Sequence, residues 1–309
     1  MSKSARRKAR ARQKKQMTAR ADAGVPPARP APAARRPAPP PRKRPAQAEA
    51  EPSQPSTADS LYASFRPTGL PNILAIARRD LTALFVSPIG WVVAGVFIFL
   101  VSGFGFIATV LAGQAATMDG VFGVITNFLM VILIPLVTMR VLAEERSQGT
   151  LELLLTSPVR EWELVAAKWL GAFVFYLLLL ATTLVYAVLL RVYASKLDVG
   201  LIAATYLGLV LVGAAAIAIG VLASSLTRNQ IIAFFIAMAA LLVIWYAGYL
   251  IGFFVAPPAN LFFQYVGGYS RFQSFSLGQA AGRDIVYFVT LTLGALFLTV
   301  RVLASRRIG

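Results

Sequence analysis

Residues 139–168, MRVLAEERSQGTLELLLTSPVREWELVAAK, gather five Glu and four Lys or Arg in a chain otherwise sparing with charge. Carboxylates at this density could hold a hard cation or exchange protons with a substrate. The rest of the chain limits that chemistry. Cysteine and histidine are absent from all 309 residues, which removes disulfides, thiolate and imidazole metal ligands and a Ser-His-Asp nucleophile. No G-x-x-x-x-G-K-[ST] phosphate loop occurs, so the chain does not cradle a nucleotide in that manner. Carboxylate-only metal or acid–base sites stay open; covalent catalysis is disfavoured. Contact chemistry remains: Glu144, Glu145, Arg146 and Glu152 as charges, and Leu151, Leu153, Leu154 and Leu155 as apolar partners. Gly149 breaks the segment into two short helices, and Ser157-Pro158 reads as an N-cap followed by proline at the first helical position. A solvated connector is the plainer reading of such a cluster.

The elements that position this loop follow from composition. Apolar residues make up 57% and charged residues 14%, where soluble domains run at roughly 45–50% and about 25%. Residues 1–69 carry 16 Lys/Arg against 4 Asp/Glu, and residues 70–309 carry 14 against 9. The chain therefore divides into a basic Pro/Ala-rich tail, 1–69, and an apolar body, 70–309. The tail lacks the apolar surface to offset its chain entropy and is expected to be disordered. It reads as a solvated cytoplasmic extension, with attraction to anionic lipid or RNA as alternatives. No aromatic residue interleaves the basic run as a platform for bases, so no specific nucleic acid is expected.

A spanning helix needs about 20 apolar residues. The intervals between charges supply six: about 89–111, 120–139, 169–190, 201–223, 230–254 and 283–303. The expected fold is an all-α integral membrane protein with both termini cytoplasmic. With the N-terminus inside, 26 Lys/Arg fall on the cytoplasmic side and 4 outside. Ahead of the first span, Ile73, Ile76, Ala77, Leu81 and Leu84 share one helical arc and Arg78, Arg79 and Thr82 the other, an interfacial amphipathic helix. Asp80 breaks that pattern from within the apolar arc. In the fourth span, Ala216, Gly220 and Ser224 form a small-residue face for close helix packing, within one subunit or between two. Gly103, Gly105, Asn127 and Pro135 read as kinks or local packing.

The order of residues in the charged loop resembles the permease subunits of type-2 ABC exporters, most closely the gliding-motility-associated branch. The likeness rests on Met139-Arg140, Ala143-Glu144-Glu145-Arg146, Gly149-Thr150-x-Glu152-Leu153-Leu154 and Thr156-x-Pro158. It extends to Arg271-Phe272-x-x-Phe275-x-x-Gly278 and Asp284-x-x-Tyr287-Phe288, and covers about residues 71–305. The long basic tail departs from the family. The resemblance implies a six-span half-transporter in a bacterial cytoplasmic membrane, paired with a second permease copy and with separate ABC ATPase subunits that hold the ATP and magnesium. It implies that the loop at 140–160 docks in a cleft of the ATPase. It further implies that the helix before the first span is an interfacial elbow, and that 257–284 forms short re-entrant helices on the outer side.

A secondary transporter or channel is one alternative, and a membrane scaffold of a motility or envelope complex is another. Gradient-driven transporters usually place ionisable groups within their spans, and between their flanking charges the six intervals hold no Asp, Glu, Lys or Arg.

Overall fold

The computed structural model describes residues 69–108, 118–150, 160–193, 198–254, 265 and 267–307, and every element among them is helical. The basic tail lies outside the described residues. The first helix, α1 (Leu70–Val86), starts with proline in its first turn and ends at Ser87 in an extended conformation. Ser87 then caps α2 (Pro88–Leu100), its Oγ accepting from the Ile89 N–H at 3.3 Å. The corner is tight: a Cβ on Gly90 would collide with the Leu84 carbonyl, and Trp91 Nε1 donates to the Phe85 carbonyl at 2.7 Å.

A π-helical segment, Val101–Ile107, continues α2. Gly105 lies there, where a Cβ would come within 2.9 Å of the Val121 backbone, whereas Gly103 faces open space. Next come α3 (Asp119–Val124), a π-helical segment at Ile125–Leu129, and α4 (Met130–Thr138), which contains Pro135. Proline removes one backbone donor and a π segment shifts the ladder by one residue, which are two ordinary causes of a bend. The halves Asp119–Asn127 and Met130–Ser147 meet at 50°.

A short helix, α5 (Ala143–Ser147), follows. Then come α6 (Glu161–Thr182) and α7 (Leu184–Tyr193), α8 (Val199–Leu226), α9 (Gln230–Phe254), α10 (Gly268–Ser276) and α11 (Gly282–Arg307). Four helical stretches are long and apolar enough to cross a membrane: Pro88–Ile107, Glu161–Val192, Val199–Leu226 and Gly282–Ser305. The bent pair makes a fifth if its halves form one span, and Gln230–Tyr246 is a shorter apolar helix. Large apolar side chains such as Phe99, Val188, Leu293 and Phe297 are exposed on the outer faces, as expected where the solvent is hydrocarbon.

The bundle is organised on α8. Asp198 starts it, Oδ1 accepting from the Gly200 and Leu201 N–H groups at 2.9 and 3.1 Å. Its 28 residues extend about 42 Å, and most of its length is buried. Three glycines on α8 each receive a side chain from a different element: Gly208 takes Phe275, Gly213 takes the Tyr176 ring, and Gly220 takes Thr138. Tyr176 also donates to the Leu209 carbonyl at 3.0 Å. In lipid, where burial of apolar surface drives little, this close approach is what holds helices together.

Candidate functional site

The charged loop is fastened to its surroundings at three points. At its start, Ser224 Oγ near the end of α8 accepts from the backbone N–H groups of Leu142 and Ala143 at 3.1 and 2.9 Å and donates to the Met139 carbonyl at 3.1 Å. A side chain of the neighbouring span thus satisfies backbone groups that α5 could not satisfy itself. Arg146 donates to the Ser225 carbonyl at 3.2 Å, the second point. The small-residue face of α8 is therefore turned toward this chain's own α4 and the residues after it: Gly220 meets Thr138, Ser224 meets Met139 to Ala143, and Ala216 lies by Met130 and Val131.

The third point is an ion cluster. Lys168, 4% exposed, places Nζ 2.6 Å from Glu145 Oε1 and 2.8 Å from Asp80 Oδ2. Arg79 approaches the same two acids from the solvent side, at 3.1 Å to each. Asp80 now has its reason for interrupting the apolar arc of α1. That arc faces α6, with Ile73 and Ile76 on Ala167 and Ala77 against Gly171, and Lys168 lies one turn along. Glu163, fully buried, adds a tie by accepting from the Gly69 N–H at 3.0 Å.

Beyond these anchors the loop is open. Ser147, Gln148, Gly149 and Thr150 are exposed. Gly149 takes φ +73°, the left-handed region that ends a helix most easily with glycine. Thr150 Oγ1 donates back to the Glu145 carbonyl at 3.1 Å. Of the residues expected to meet a partner, Glu145 and Arg146 are engaged within the chain, whereas Glu144 is only partly covered. Glu152, Leu153, Leu154 and Pro158, with Leu151, Leu155, Thr156 and Ser157, lie outside the described residues.

The second motif assembles at the opposite end of α8. Thr205 Oγ1 near the start of that helix donates to the Phe275 carbonyl at 3.2 Å, and Phe275 is stacked toward Phe288. Arg271 donates through Nη1 to Asp284 at 2.9 Å and through Nε to the Tyr265 carbonyl at 2.9 Å, with its guanidinium 3.7 Å from the Tyr265 ring centre. Burial works against the guanidinium's charge, but hydrogen bonding to and attraction by Asp284 and Tyr265 outweigh it and hold its pKa above the ordinary arginine value. Gly278, at φ +78°, turns the chain against Leu201. The family resemblance singled out Arg271, Phe272, Phe275, Gly278 and Asp284; the structure pairs Arg271 with Asp284, sets Phe272 and Phe275 against Gly208, and puts Gly278 by Leu201. Tyr265 and Thr205 were not selected; a lone tyrosine and a lone threonine carry no periodic signal.

Among the described residues no group of three or more acidic side chains is placed to hold a metal ion. What the arrangement offers is mechanical: an exposed loop tip whose base is tied to α1, α6 and α8. Residues 45–292 match the family model described as ABC-2 family transporter protein. No curated protein matches the chain.

Proposed function

The chain belongs to the ABC-2 family of transporter proteins, and from that membership we propose that it is the permease subunit of an ATP-driven exporter, working with a separate ABC ATPase. It is a multi-span transport protein, and its proposed work is mechanical rather than catalytic. In the proposed arrangement six spans cross a bacterial cytoplasmic membrane with both termini inside, and two permease copies face each other. α9 is then the fifth span, the bent pair the second, and α1 an elbow in the inner interface. Residues 1–69 form a basic cytoplasmic extension. The closer likeness to the gliding-motility-associated branch rests on the two sequence motifs alone.

One observation supports this reading most. The tip at 147–150 is exposed, while the base of its loop is held by Ser224, Arg146 and the Lys168 cluster. A displacement imposed on the tip by closing ATPase subunits would therefore reach α1, α6 and α8 together. Glu145 serves as a post within the permease, and Glu144, Gly149 and Thr150 offer the surface for the ATPase, with Glu152, Leu153, Leu154 and Pro158 continuing it.

The test is co-purification. The tagged chain, purified from its own cells, should bring down a P-loop ATPase. Gly149→Pro or Glu144→Ala should weaken that capture or abolish permease-stimulated ATP hydrolysis, with membrane insertion unchanged. A Glu paired in a partner's cleft costs roughly 2–5 kcal/mol to remove, against less than about 1 kcal/mol for an exposed one. Full capture and stimulation by both variants would reduce the loop to a connector and favour a scaffold or a secondary transporter.

A further inference from the structure

A cavity of about 400 Å³ opens where α1, α2, α4, α5 and α6 meet. One end is charged, with Arg79, Asp80, Arg140, Glu144, Glu145 and Lys168 around it; the other is apolar, ending on Val93, Val137 and Phe175. Three cations thus stand against three anions, and the lining is formally neutral. Two polar atoms of these lining residues are buried without a hydrogen-bond partner: Nε of Arg140, a donor, and Oε2 of Glu145, an acceptor. An unmet buried donor or acceptor is costly, so the pair calls for a ligand with one group of each kind. Bridging water is a poor answer, because the volume is many times one water's share of about 30 Å³ and much of the wall is apolar.

The cavity's depth says what the ligand is. Pro88 opens the first span here, Thr138 closes the second, and Lys168 is the last charge before the third. The charged end thus lies where lipid headgroups lie and the apolar end where acyl chains begin. We infer that this cavity binds a phospholipid whose head carries both a phosphate and a primary ammonium, as in phosphatidylethanolamine. The phosphate accepts from Arg140 Nε–H, the ammonium donates to Glu145 Oε2, and an acyl chain runs toward Val93 and Phe175. A quaternary ammonium has no N–H for Glu145. A lipid with net negative charge satisfies Arg140 but leaves Glu145 unmet and adds repulsion from Asp80, Glu144 and Glu145.

The experiment uses the unaltered full-length protein, delipidated in detergent, with lipids of identical acyl chains. Retention by native mass spectrometry and the rise in Tm are measured for phosphatidylethanolamine, its mono-, di- and trimethylated forms, and phosphatidylglycerol. Retention should fall with each added methyl group and drop about tenfold overall, the scale of one charge-assisted hydrogen bond. Phosphatidylglycerol should bind no better than the trimethylated form. In Arg140→Leu retention of every member of the series should fall, because all share the phosphate, while the order set by the ammonium is kept. Equal retention of all lipids, a preference for phosphatidylglycerol, or undiminished retention in Arg140→Leu would each overturn the assignment. The methylation series needs no variant, so it decides even where Arg140→Leu folds poorly.

Discussion

The ammonium of Lys168 lies 2.6 Å from Oε1 of Glu145, across 23 residues of sequence, so the charged loop is locked to the first turns of the third span. Lys168 is 4% exposed and its other partner, Asp80, comes from α1. Arg79, which touches the same two acids, is 55% exposed. The two cations therefore differ in worth. Lys168→Met leaves two partly buried carboxylates with only the exposed Arg79 and should destabilise the protein by up to about 3–5 kcal/mol. Arg79→Met should cost no more than about 1 kcal/mol. Thermal unfolding in detergent separates the two, and equal losses would show that burial of the ammonium is not what matters.

The glycines of α8 give a second contrast. A Cβ at Gly220 or Gly213 would overlap the side chain of Thr138 or Tyr176, and Thr138 is itself held by a hydrogen bond to the Ile134 carbonyl at 2.8 Å. Gly220→Val should therefore force the second span away from the fourth, at about 1–3 kcal/mol. Gly294 on α11 has nothing within 4 Å of where its Cβ would be. There alanine should be neutral or stabilise by about 0.4–1 kcal/mol. Equal tolerance at both sites would mean that α8 is free to shift.

These contrasts also mark how far residue order reaches. Long uncharged intervals announced membrane-length helices, because hydrocarbon thickness sets their length, and each of the four long apolar helices overlaps such an interval. The apolar arc of α1 was legible, since Ile73, Ile76 and Ala77 repeat at helical spacing and are buried. Asp80 was visible as an anomaly with an arginine beside it, but its buried partner, Lys168, lies 88 residues away on another helix, and no local pattern carries that pairing. Ala216, Gly220 and Ser224 share a four-residue period and stood out. Gly208 and Gly213 did not, because each answers a different neighbouring element. Asn127, read as a kink or packing residue, makes a local bond and also joins α9: its Nδ2 donates to the Gly123 carbonyl at 3.2 Å, and its Oδ1 accepts from Tyr246 Oη at 3.2 Å.

Arg271 tests shape against charge. It donates in two directions and lies over the Tyr265 ring, which a lysine ammonium on a flexible stem does not reproduce. Arg271→Met leaves the buried Asp284 carboxylate without its main partner and should cost about 3–5 kcal/mol. Arg271→Lys keeps the charge and loses the fork, so it should fall between Met and the parent, measured by thermal unfolding in detergent. A lysine variant as stable as the parent would mean that charge alone suffices.

The last prediction concerns sidedness. Six spans with both ends inside rest on 26 Lys/Arg against 4, a bias that sets orientation through the loops flanking each span. The structure adds a relation that any orientation must respect. The Ser224 end of α8 meets the charged loop, and its Thr205 end meets the Arg271 motif. At about 1.5 Å per residue the 19 residues between them extend roughly 28 Å, close to the hydrocarbon thickness of about 30 Å. The two motifs must therefore label from opposite faces. The chain has no native cysteine, so single cysteines at exposed positions report cleanly. Gln279→Cys should react with an impermeant thiol reagent in intact cells. Gln148→Cys and Ser305→Cys should react only after the membrane is opened. Labelling of Gln148→Cys from outside would invert the map, and with it the proposal that the loop at 147–150 meets a cytoplasmic ATPase. Labelling of Gln148→Cys and Gln279→Cys from the same face would mean that α8 does not cross the bilayer at all.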